Sequence, residues 1–362
     1  MPRQLVYDRW LLVITVLLVA GGLFMVGSAS NHFALESGKS PSTLWWKQAT
    51  HLLLGFAALT AAMHVPYAKL ADARLIAVLL VLCAVGLVAV RAMPEAGGSH
   101  RWLVFGPLRL QPSEFTKLAV VLLLARTLAR KEERIDEVAT VVLPCLGLVG
   151  AMACLVAVEN LGSAVVLVAV AGALLFAAGL GRVALAGIAA GGALAFVAAV
   201  WAKPYRWERI TAFLDPWADP RESGFQLIQS LIAFGNGGLV GVGPGHGQQK
   251  ALFLPAAHTD FIFSIVGEEL GLVGGLALIG AFLLLFWRGL RAALHAPDRF
   301  GSYLALGLTL LLVVQALINM SICVGLLPTT GLPLPFISYG GSSLVTSMLA
   351  MGLLLSVSQH SR

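Results

Sequence analysis

The chain has 362 residues, of which 58% are hydrophobic and 12% are charged, and its formal net charge is +6. Soluble domains carry about 25% charged residues, so this composition excludes a water-soluble globule. It also excludes a disordered chain, and the scattered basic residues exclude a nucleic-acid-binding protein. A membrane-spanning helix uses roughly 20 residues, so the length allows about ten spans. The composition therefore predicts an all-α polytopic membrane protein.

Apolar windows poor in charge follow one another along the chain, and each predicts a helix because backbone polar groups in lipid need internal partners. The first window follows Arg3 and Arg9 but has no small-residue cleavage site leading to a soluble chain, so we expect a retained span. The ten predicted spans are residues 10–29, 44–64, 73–92, 114–130, 138–158, 162–181, 183–202, 260–287, 302–325 and 341–358.

One weakly charged stretch differs from these windows. Residues 223–249 carry no ionisable side chain except His246, yet they include eight glycines and four glutamines. Glycine disfavours a helix by about 1 kcal/mol, so this stretch is not expected to form a lipid-facing helix. We predict a long extramembrane loop at 203–259, partly re-entrant, within a single transmembrane domain of residues 1–362. The short loops rich in basic residues predict cytoplasmic N- and C-termini.

The four cysteines lie within strongly apolar runs, and no two of them form a CxxC pair. We therefore expect small buried hydrophobic side chains, with no disulfide and no metal ligands. The cysteines are Cys83, Cys145, Cys154 and Cys323.

Polar residues precede and begin the fourth span. Arg101 and Trp102 open an alternating apolar segment that is typical of an element at the lipid headgroups. Glu114 and Lys117 are three residues apart and share one face of the helix. A buried charge costs on the order of 3 kcal/mol unless it is paired or hydrated. The two residues therefore form either a structural ion pair or the polar wall of a water-filled cleft open to the outside.

The segment after the seventh span contains Arg206 and Arg209. A helical start would point both guanidinium groups in one direction, and paired arginine forks suit the oxygens of a diphosphate. The alternative is a pair of interfacial anchors beside Trp201 and Trp207.

Acidic residues lie at and below the start of the eighth span. Asp260 is where an aspartate commonly caps a helix, and capping is one interpretation. The other is a partly desolvated carboxylate at the lip of a cavity, whose raised pKa makes it a candidate base for a hydroxyl group. Glu268 and Glu269 lie about 12–13 Å deeper by the helix rise. We expect both to be partnered or hydrated within the bundle.

The connection between the ninth and tenth spans, residues 327–343, contains three prolines and three glycines. Non-helical backbone at membrane depth is tolerated only where it is buried or lines water. We predict that its carbonyl, N–H and hydroxyl groups hold a polar head group; a simple turn is the alternative.

In their order and spacing, these segments resemble the SEDS family (shape, elongation, division and sporulation) over essentially the whole chain. Two further stretches, residues 212–217 and 332–343, look more like the division branch than the elongation branch, which is the alternative. The resemblance is carried by Ser28-Ala29-Ser30, Arg101-Trp102, Gln111-Pro112-Ser113-Glu114 with Lys117, His258-Thr259-Asp260-Phe261-Ile262-Phe263, Glu268-Glu269 with Gly271, and the run from Gly331 to Ser343.

The resemblance implies a ten-span peptidoglycan glycosyltransferase that polymerises lipid II at the outer face of the bacterial cytoplasmic (inner) membrane, in septal wall synthesis. It implies that Asp260 is catalytic. The implied partners are a class B penicillin-binding protein transpeptidase and other membrane proteins of the divisome or elongasome. Residues expected to bind the substrate are Arg101, Trp102, Ser113, Glu114, Lys117, Arg206, Arg209, His258, Ser338 and Tyr339.

The sequence departs from the family pattern after the fifth span. Many members have Gln-Pro-Asp-Leu-Gly-Thr there, whereas this chain has Val-Glu-Asn-Leu-Gly-Ser at 158–163. An acidic role at that aspartate position is therefore lost or shifted to Glu159.

The implied reaction inverts the anomeric centre, so it needs one displacement and one base but no carboxylate nucleophile. Asp260 would take the proton of the acceptor hydroxyl. Fixed positive charge would stabilise the departing diphosphate. The candidates for that charge are Arg101, Arg206, Arg209, Lys117 or a divalent cation, although the sequence itself requires no cofactor.

Two other functions compete with this hypothesis. A transporter or lipid flippase would favour paired repeats around a midplane site. We find no internal repeat, the polar residues gather at the outer rim, and only Glu268 and Glu269 form a deep acidic pair. A non-catalytic scaffold for a transpeptidase is the third hypothesis.

Overall fold

A computed structural model describes residues 7–36, 42–93, 100–106, 108–131, 137, 142–252, 254 and 257–360. These residues form a predominantly helical protein with one short hairpin, and three 3₁₀ turns lie at Tyr67–Ala71, Val90–Ala92 and Pro216–Ala218. The helices and strands are α1 (Arg9–Glu36), α2 (Ser42–His64), α3 (Ala73–Ala89), β1 (Leu103–Phe105), β2 (Leu108–Leu110), α4 (Pro112–Lys131), α5 (Leu143–Glu159), α6 (Leu161–Ala177), α7 (Arg182–Trp201), α8 (Pro204–Leu214), α9 (Phe225–Gly237), α10 (Gln249–Leu252), α11 (Ile262–Leu294), α12 (Arg299–Cys323) and α13 (Gly341–Ser358).

Each predicted span lies on one of these helices, namely α1–α7 and α11–α13. Within the described residues, α1, α3, α7, α11, α12 and α13 are long and apolar enough to cross a membrane, and α5 and α6 are shorter apolar helices. The all-α polytopic membrane fold is therefore confirmed. The count of ten spans and the cytoplasmic position of the termini stay predictions.

The centre of the bundle is α12, which packs against α4, α6, α11 and α13. Its buried face is not purely apolar, because Thr309, Gln315 and Asn319 are also buried there. Polar side chains inside a membrane bundle need internal partners. Two of these three side chains, Gln315 and Asn319, lie towards the carboxyl end of α12, where the candidate site is built.

The segment before α4 is a β-hairpin in which Leu103 pairs with Leu110. Val104 and Leu110, which lie on opposite faces of the hairpin, are both exposed. The hydroxyl of Ser342 at the start of α13 accepts a hydrogen bond from the Gln111 N–H (3.0 Å) and donates one to the Arg109 carbonyl (3.2 Å). The hairpin is thereby attached to the end of the bundle.

The connection at 203–259 contains three helices, α8, α9 and α10, although its glycine-rich part was not expected to form a lipid-facing helix. The helix α9 packs against α11 and buries Leu227, Ile228 and Ala233. Most helical stability in proteins comes from packing of an apolar face and not from intrinsic propensity. The glycine content of the whole stretch therefore underestimated its tendency to form a helix, since six of the eight glycines lie outside the range of α9.

The glycine-rich residues 238–248 lie beside the middle of α11. There α11 is interrupted at Gly271, whose φ of 65° is in the region that favours glycine. Backbone hydrogen bonds join the two segments, from Val242 N–H to the Glu268 carbonyl (3.0 Å) and from Leu272 N–H to the Gly238 carbonyl (2.9 Å). This pairing satisfies the non-helical backbone, as the partly re-entrant loop requires.

Glu268 and Glu269 are buried, and both are partnered as predicted. Glu268 accepts hydrogen bonds from the backbone N–H groups of residues 248 and 249. Glu269 pairs with Lys250 and accepts hydrogen bonds from Ser28 Oγ (2.7 Å) and the Gly245 N–H (3.1 Å). The acidic pair thus holds the glycine-rich segment against α1 and α11.

None of the four cysteines forms a disulfide in the part of the chain that the structure describes. Cys83 and Cys323 are buried and Cys145 is half-buried, but Cys154 is exposed. The expectation of burial is wrong for Cys154, because it lies on a face of α5 that points away from the other helices.

Candidate active site

Asp260 lies in the turn before α11 and does not cap that helix. The capping position is Phe261, and no side chain caps the helix there. Among the described residues the Asp260 carboxylate has no hydrogen-bond donor, while its backbone carbonyl accepts one from Asn319 Nδ2 (2.7 Å). The capping interpretation is therefore wrong, and the carboxylate is available for chemistry.

Arg101 and Arg209 are the cations that act on Asp260. A Cβ atom at Gly331 would lie 2.7 Å from Arg101 Nη1 and 3.4 Å from Asp260 Oδ2, so this glycine leaves open the space between them. Desolvation raises the pKa of Asp260 to about 6, and the two arginines limit that rise. A carboxyl group with this pKa is largely ionised at neutral pH, yet it is a stronger base than an ordinary aspartate.

A cavity of about 140 Å³, open to solvent, extends from Gly331 between α6, α7, α8 and α12. It has a polar end and an apolar wall, which suits a ligand with a charged group joined to a hydrocarbon chain. The polar end includes Arg101, Asn160, Arg206, Arg209 and Thr330, and the apolar wall includes Val165, Phe196, Ile318 and Ile322.

The carboxyl end of α5 holds three cations of this region. Arg101 Nε donates to the Glu159 carbonyl (2.9 Å), and Lys203 Nζ and Arg206 Nη2 both donate to the Val158 carbonyl (3.0 Å each). The last carbonyls of a helix are free, and its dipole favours positive charge there. The helix end therefore positions the cations before any ligand binds.

Arg206 and Arg209 have different environments, although the sequence suggested one role for both. Arg206 is buried, and beyond its contacts with α5 it donates to the Ala199 carbonyl (2.8 Å) and to Tyr205 Oη (3.1 Å). These contacts involve all three of its nitrogens and join α5, α7 and α8, and binding of a diphosphate by Arg206 stays a prediction. Arg209 is half-buried and makes one hydrogen bond, from Nη1 to the Thr329 carbonyl (3.2 Å).

The alternative interpretation of this segment was a set of side chains that anchor it at the membrane interface. The two tryptophans fit that interpretation better than the two arginines do. Trp201 and Trp207 are exposed, and their rings meet edge to face with centroids 6.1 Å apart. Exposed tryptophans of this kind are typical of the membrane interface. They indicate that α8 lies along the membrane surface at the rim of the cavity.

Glu114 and Lys117 form a buried ion pair with an N–O distance of 2.8 Å. Lys117 also donates to Gln315 Oε1, and Glu114 accepts from Thr346 Oγ1 (3.3 Å). Both side chains are only 3% exposed, and neither lines the cavity beside Asp260. The ion pair of the first interpretation is therefore formed. Contact of these two residues and of the buried Ser113 with the substrate stays a prediction.

Gln315 and Asn319 were missed in the sequence. Gln315 Nε2 donates to the Pro333 carbonyl (2.8 Å), and Asn319 Nδ2 donates to the carbonyls of Leu332 (2.6 Å) and Asp260 (2.7 Å). Two amides one turn apart in an apolar span are the signal that could have found them. They fix Asp260 against the connection between α12 and α13.

That connection folds back against the turn that carries Asp260, so it is not a simple turn. Ser338 is buried; its hydroxyl donates to the Thr259 carbonyl and accepts from the Leu334 N–H (2.8 Å). Its hydroxyl therefore has partners within the protein, and binding of the substrate by Ser338 stays a prediction. The Tyr339 N–H donates to the His258 carbonyl (2.9 Å), which continues the pairing.

Three predicted substrate-binding residues keep exposed surface, namely Trp102, His258 and Tyr339. The rings of His258 and Tyr339 meet with centroids 5.6 Å apart. Burial lowers the pKa of His258, so its neutral form is favoured at physiological pH. The roles of these three residues stay predictions.

Glu159 does not take over the missing aspartate position. Its Oε2 accepts the backbone N–H of His100 (3.1 Å), outside the cavity lining. Asn160 caps α6 through a hydrogen bond from the Ser163 N–H to Oδ1 (3.0 Å). The aspartate position is therefore occupied by a neutral helix cap.

Comparison with known proteins supplies the family. A family model described as the FtsW, RodA and SpoVE cell cycle proteins matches residues 9–362. The probable peptidoglycan glycosyltransferase FtsW of Geobacter metallireducens is 43% identical, over 97% of this chain and 94% of the relative. Stage V sporulation protein E of Bacillus subtilis is 40% identical, over 98% of each chain.

Solved structures agree with these relatives. The rod shape determining protein RodA of Thermus thermophilus matches with a TM-score of 0.72 and 29% identity, over 99% of this chain and 98% of that one. A chain from a structure described as the coordination of polymerization and crosslinking by a peptidoglycan synthase complex matches with a TM-score of 0.79 and 34% identity, over 97% of each. The predicted fold class and family resemblance are confirmed.

Proposed function

The chain belongs to the FtsW, RodA and SpoVE family, and we propose that it is a peptidoglycan glycosyltransferase that polymerises lipid II. The observation that carries this proposal is the carboxylate of Asp260, which lies with Arg101 beside Gly331 at the polar end of an amphipathic cavity and is also acted on by the charge of Arg209. A base next to fixed positive charge is what glycosyl transfer from a diphosphate requires.

The cavity fits the donor substrate in two respects. Its apolar wall suits the first isoprene units of a polyprenyl chain, and its arginines suit the diphosphate that joins this chain to the saccharide. Arg101 and Arg209 are the binding groups, because the nitrogens of Arg206 are occupied by carbonyls and the Tyr205 hydroxyl. The anomeric carbon then lies between the arginines and Asp260.

The reaction is one displacement with inversion. Asp260 takes the proton of the 4-hydroxyl of the acceptor saccharide while this oxygen bonds to the anomeric carbon of the donor. The bond from that carbon to the diphosphate oxygen breaks, and the electron pair leaves with the diphosphate. Arg101 and Arg209 stabilise the charge that develops there, and protonated Asp260 then releases its proton to water.

A divalent cation was the alternative source of positive charge. The described residues contain no cluster of three or more His, Cys, Asp or Glu side chains. The carboxylate of Asp260 also faces two guanidinium groups, which disfavour a second cation at that point. The residues present do not fit a protein-held cation, and the steps above use none.

The biological setting is part of the proposal. The relatives named FtsW support septal wall synthesis, with a RodA-type elongation role as the alternative. The synthase complex among the structural neighbours supports a class B penicillin-binding protein as partner, together with other divisome or elongasome membrane proteins. We place the chain in the bacterial inner membrane as one domain, with residues 203–259 and Asp260 at the outer face.

Reconstitution tests the function. The purified chain is placed in vesicles with labelled lipid II and a class B penicillin-binding protein whose transpeptidase is inactive, and the products are separated by size. Glycan polymer is expected. A flippase would move lipid II between leaflets without forming polymer, and that result would replace the proposed function. The buried, partnered Glu268 and Glu269 give no support to a transport path.

A further inference from the structure

The turn before α11 and the connection between α12 and α13 run alongside each other. Their contacts show in which sequence the side chains around Asp260 follow one another along the surface. Arg101 and Arg209 lie at one end of this row of side chains, Asp260 lies in the middle, and His258 lies at the other end. Along the connection, Thr329 contacts Arg209, Gly331 lies beside Asp260 and Arg101, Ser338 contacts Thr259, and Tyr339 contacts His258.

Four side chains beyond Asp260, at the end opposite the arginines, form what we call the His–Tyr patch: Gln48, His51, His258 and Tyr339. The Tyr339 ring lies between the two histidines, with centroids 5.6 Å from His258 and 6.3 Å from His51. Gln48 joins the patch through a hydrogen bond from Nε2 to the Ser338 carbonyl (3.4 Å). None of these four residues lines the arginine cavity.

Two buried atoms of the patch have no hydrogen-bond partner among the described residues, namely Gln48 Oε1 and His51 Nδ1. Gln48 is only 2% exposed. Buried polar groups in native structures are nearly always paired, so unpaired ones require an explanation. Two such atoms on one face of α2, beside a tyrosine ring, indicate a polar ligand that supplies the partners.

We propose that the His–Tyr patch binds the acceptor saccharide, the end of the glycan whose 4-hydroxyl is deprotonated by Asp260. This inference rests on the proposed function. Inverting glycosyl transfer needs the acceptor hydroxyl, with the base beside it, on the side of the anomeric carbon opposite the diphosphate, and the arginine cavity suits the saccharide that carries the diphosphate. Hydroxyl and acetamido groups match Gln48 and His51, and the ring of Tyr339 packs against the face of a sugar.

Two half-substrates separate the acceptor site from the donor site. A lipid II analogue that lacks the 4-hydroxyl acts only as a donor, and a lipid-free tetrasaccharide of the glycan repeat acts only as an acceptor. In the chain with His51→Ala or Tyr339→Leu, the KM for the tetrasaccharide is expected to rise at least about fivefold, while the KM for the donor changes less than about twofold. Arg209→Gln is expected to give the reverse pattern.

Two control variants and a stability measurement separate loss of acceptor binding from loss of fold. His64→Ala changes an exposed histidine at the other end of α2, whose Nδ1 contacts the Thr60 carbonyl of its own helix, and it is expected to leave both KM values unchanged. Tyr339→Phe keeps the ring and is expected to retain most acceptor binding. Thermal unfolding of each variant in detergent identifies loss of fold.

Equilibrium binding supplies a second measurement that does not depend on turnover. The tetrasaccharide is titrated into the Asp260→Asn chain with and without Tyr339→Leu, and the ring variant is expected to bind at least about fivefold more weakly. Equal binding, or KM effects confined to the donor, would overturn the acceptor site. If the unaltered chain joins no donor to any acceptor, the proposed function itself fails, which is a different result.

Discussion

Arg101 and Asp260 face each other across Gly331, and the missing side chain of this glycine leaves the space in which a substrate can contact both groups. The Arg101 guanidinium is held from behind by the last carbonyl of α5, and Asp260 is held by Asn319. Each reactive group is thus fixed through an atom that the chemistry does not use. Such positioning is a main source of enzymatic rate.

Gly331→Ala tests the space between these two groups. The new methyl group would lie 2.7 Å from Arg101 Nη1, so the guanidinium must shift. We expect kcat for polymerisation to fall about 10- to 100-fold, since small displacements of catalytic groups have effects of this size. The thermal unfolding temperature should stay close to that of the unaltered chain. Unchanged kcat would mean that no substrate occupies this space.

The pH dependence of the reaction reports the ionisation of Asp260. A base must be deprotonated to act, so the rate should rise with pH and level off above the pKa of about 6. Arg209 lowers this pKa, and Arg209→Gln should therefore move the acidic limb to higher pH, by up to about one unit. Initial rates of donor consumption between pH ~5 and ~8 measure both profiles. A shift of the limb to lower pH would contradict the assignment.

Asn319→Leu removes the donor shared by the carbonyls of Asp260 and Leu332. Leaving buried carbonyls unpaired costs about 1–3 kcal/mol, so the unfolding temperature should fall. The kcat should fall as well, because Asp260 loses its support, whereas the KM for the donor should change little. Cys323→Ala, one turn further along α12, removes only the weaker donor to the same Asp260 carbonyl (Sγ–O distance 3.6 Å) and should have a much smaller effect on kcat.

The ion pair of Glu114 and Lys117 gives a prediction about stability. Lys117→Met leaves the buried Glu114 carboxylate without its cation, and such a change costs about 3–5 kcal/mol. Replacing both residues, with Glu114→Gln and Lys117→Met, should recover much of that loss because no charge stays buried. Denaturation in detergent measures the three variants. A double variant less stable than Lys117→Met would show that the pair acts in some other way.

The sequence predicted the helices well because lipid requires helical backbone wherever the chain is apolar. It did not reveal α9, where packing of Leu227 and Ile228 outweighs nearby glycine. That packing joins residues that are distant in sequence, so the local sequence pattern of residues 225–237 cannot predict it.

The site was predicted in part for a similar reason. Asp260 and Arg209 were identified from their local sequence, and the structure brings them together. The difference between Arg206 and Arg209 depends on carbonyls of α5 and α7, which spacing on α8 cannot reveal. Gln315 and Asn319 were missed because their partners come from the connection after α12.

The central claim is that Asp260 is the base, and Asp260→Asn tests it most directly. Asparagine has almost the same shape but cannot accept the proton. In vesicles, we expect the Asp260→Asn chain to form about 10²- to 10⁴-fold less glycan polymer, while its lipid II binding and thermal stability stay near those of the unaltered chain. Polymer formation at the normal rate by this variant would show that Asp260 is not the base.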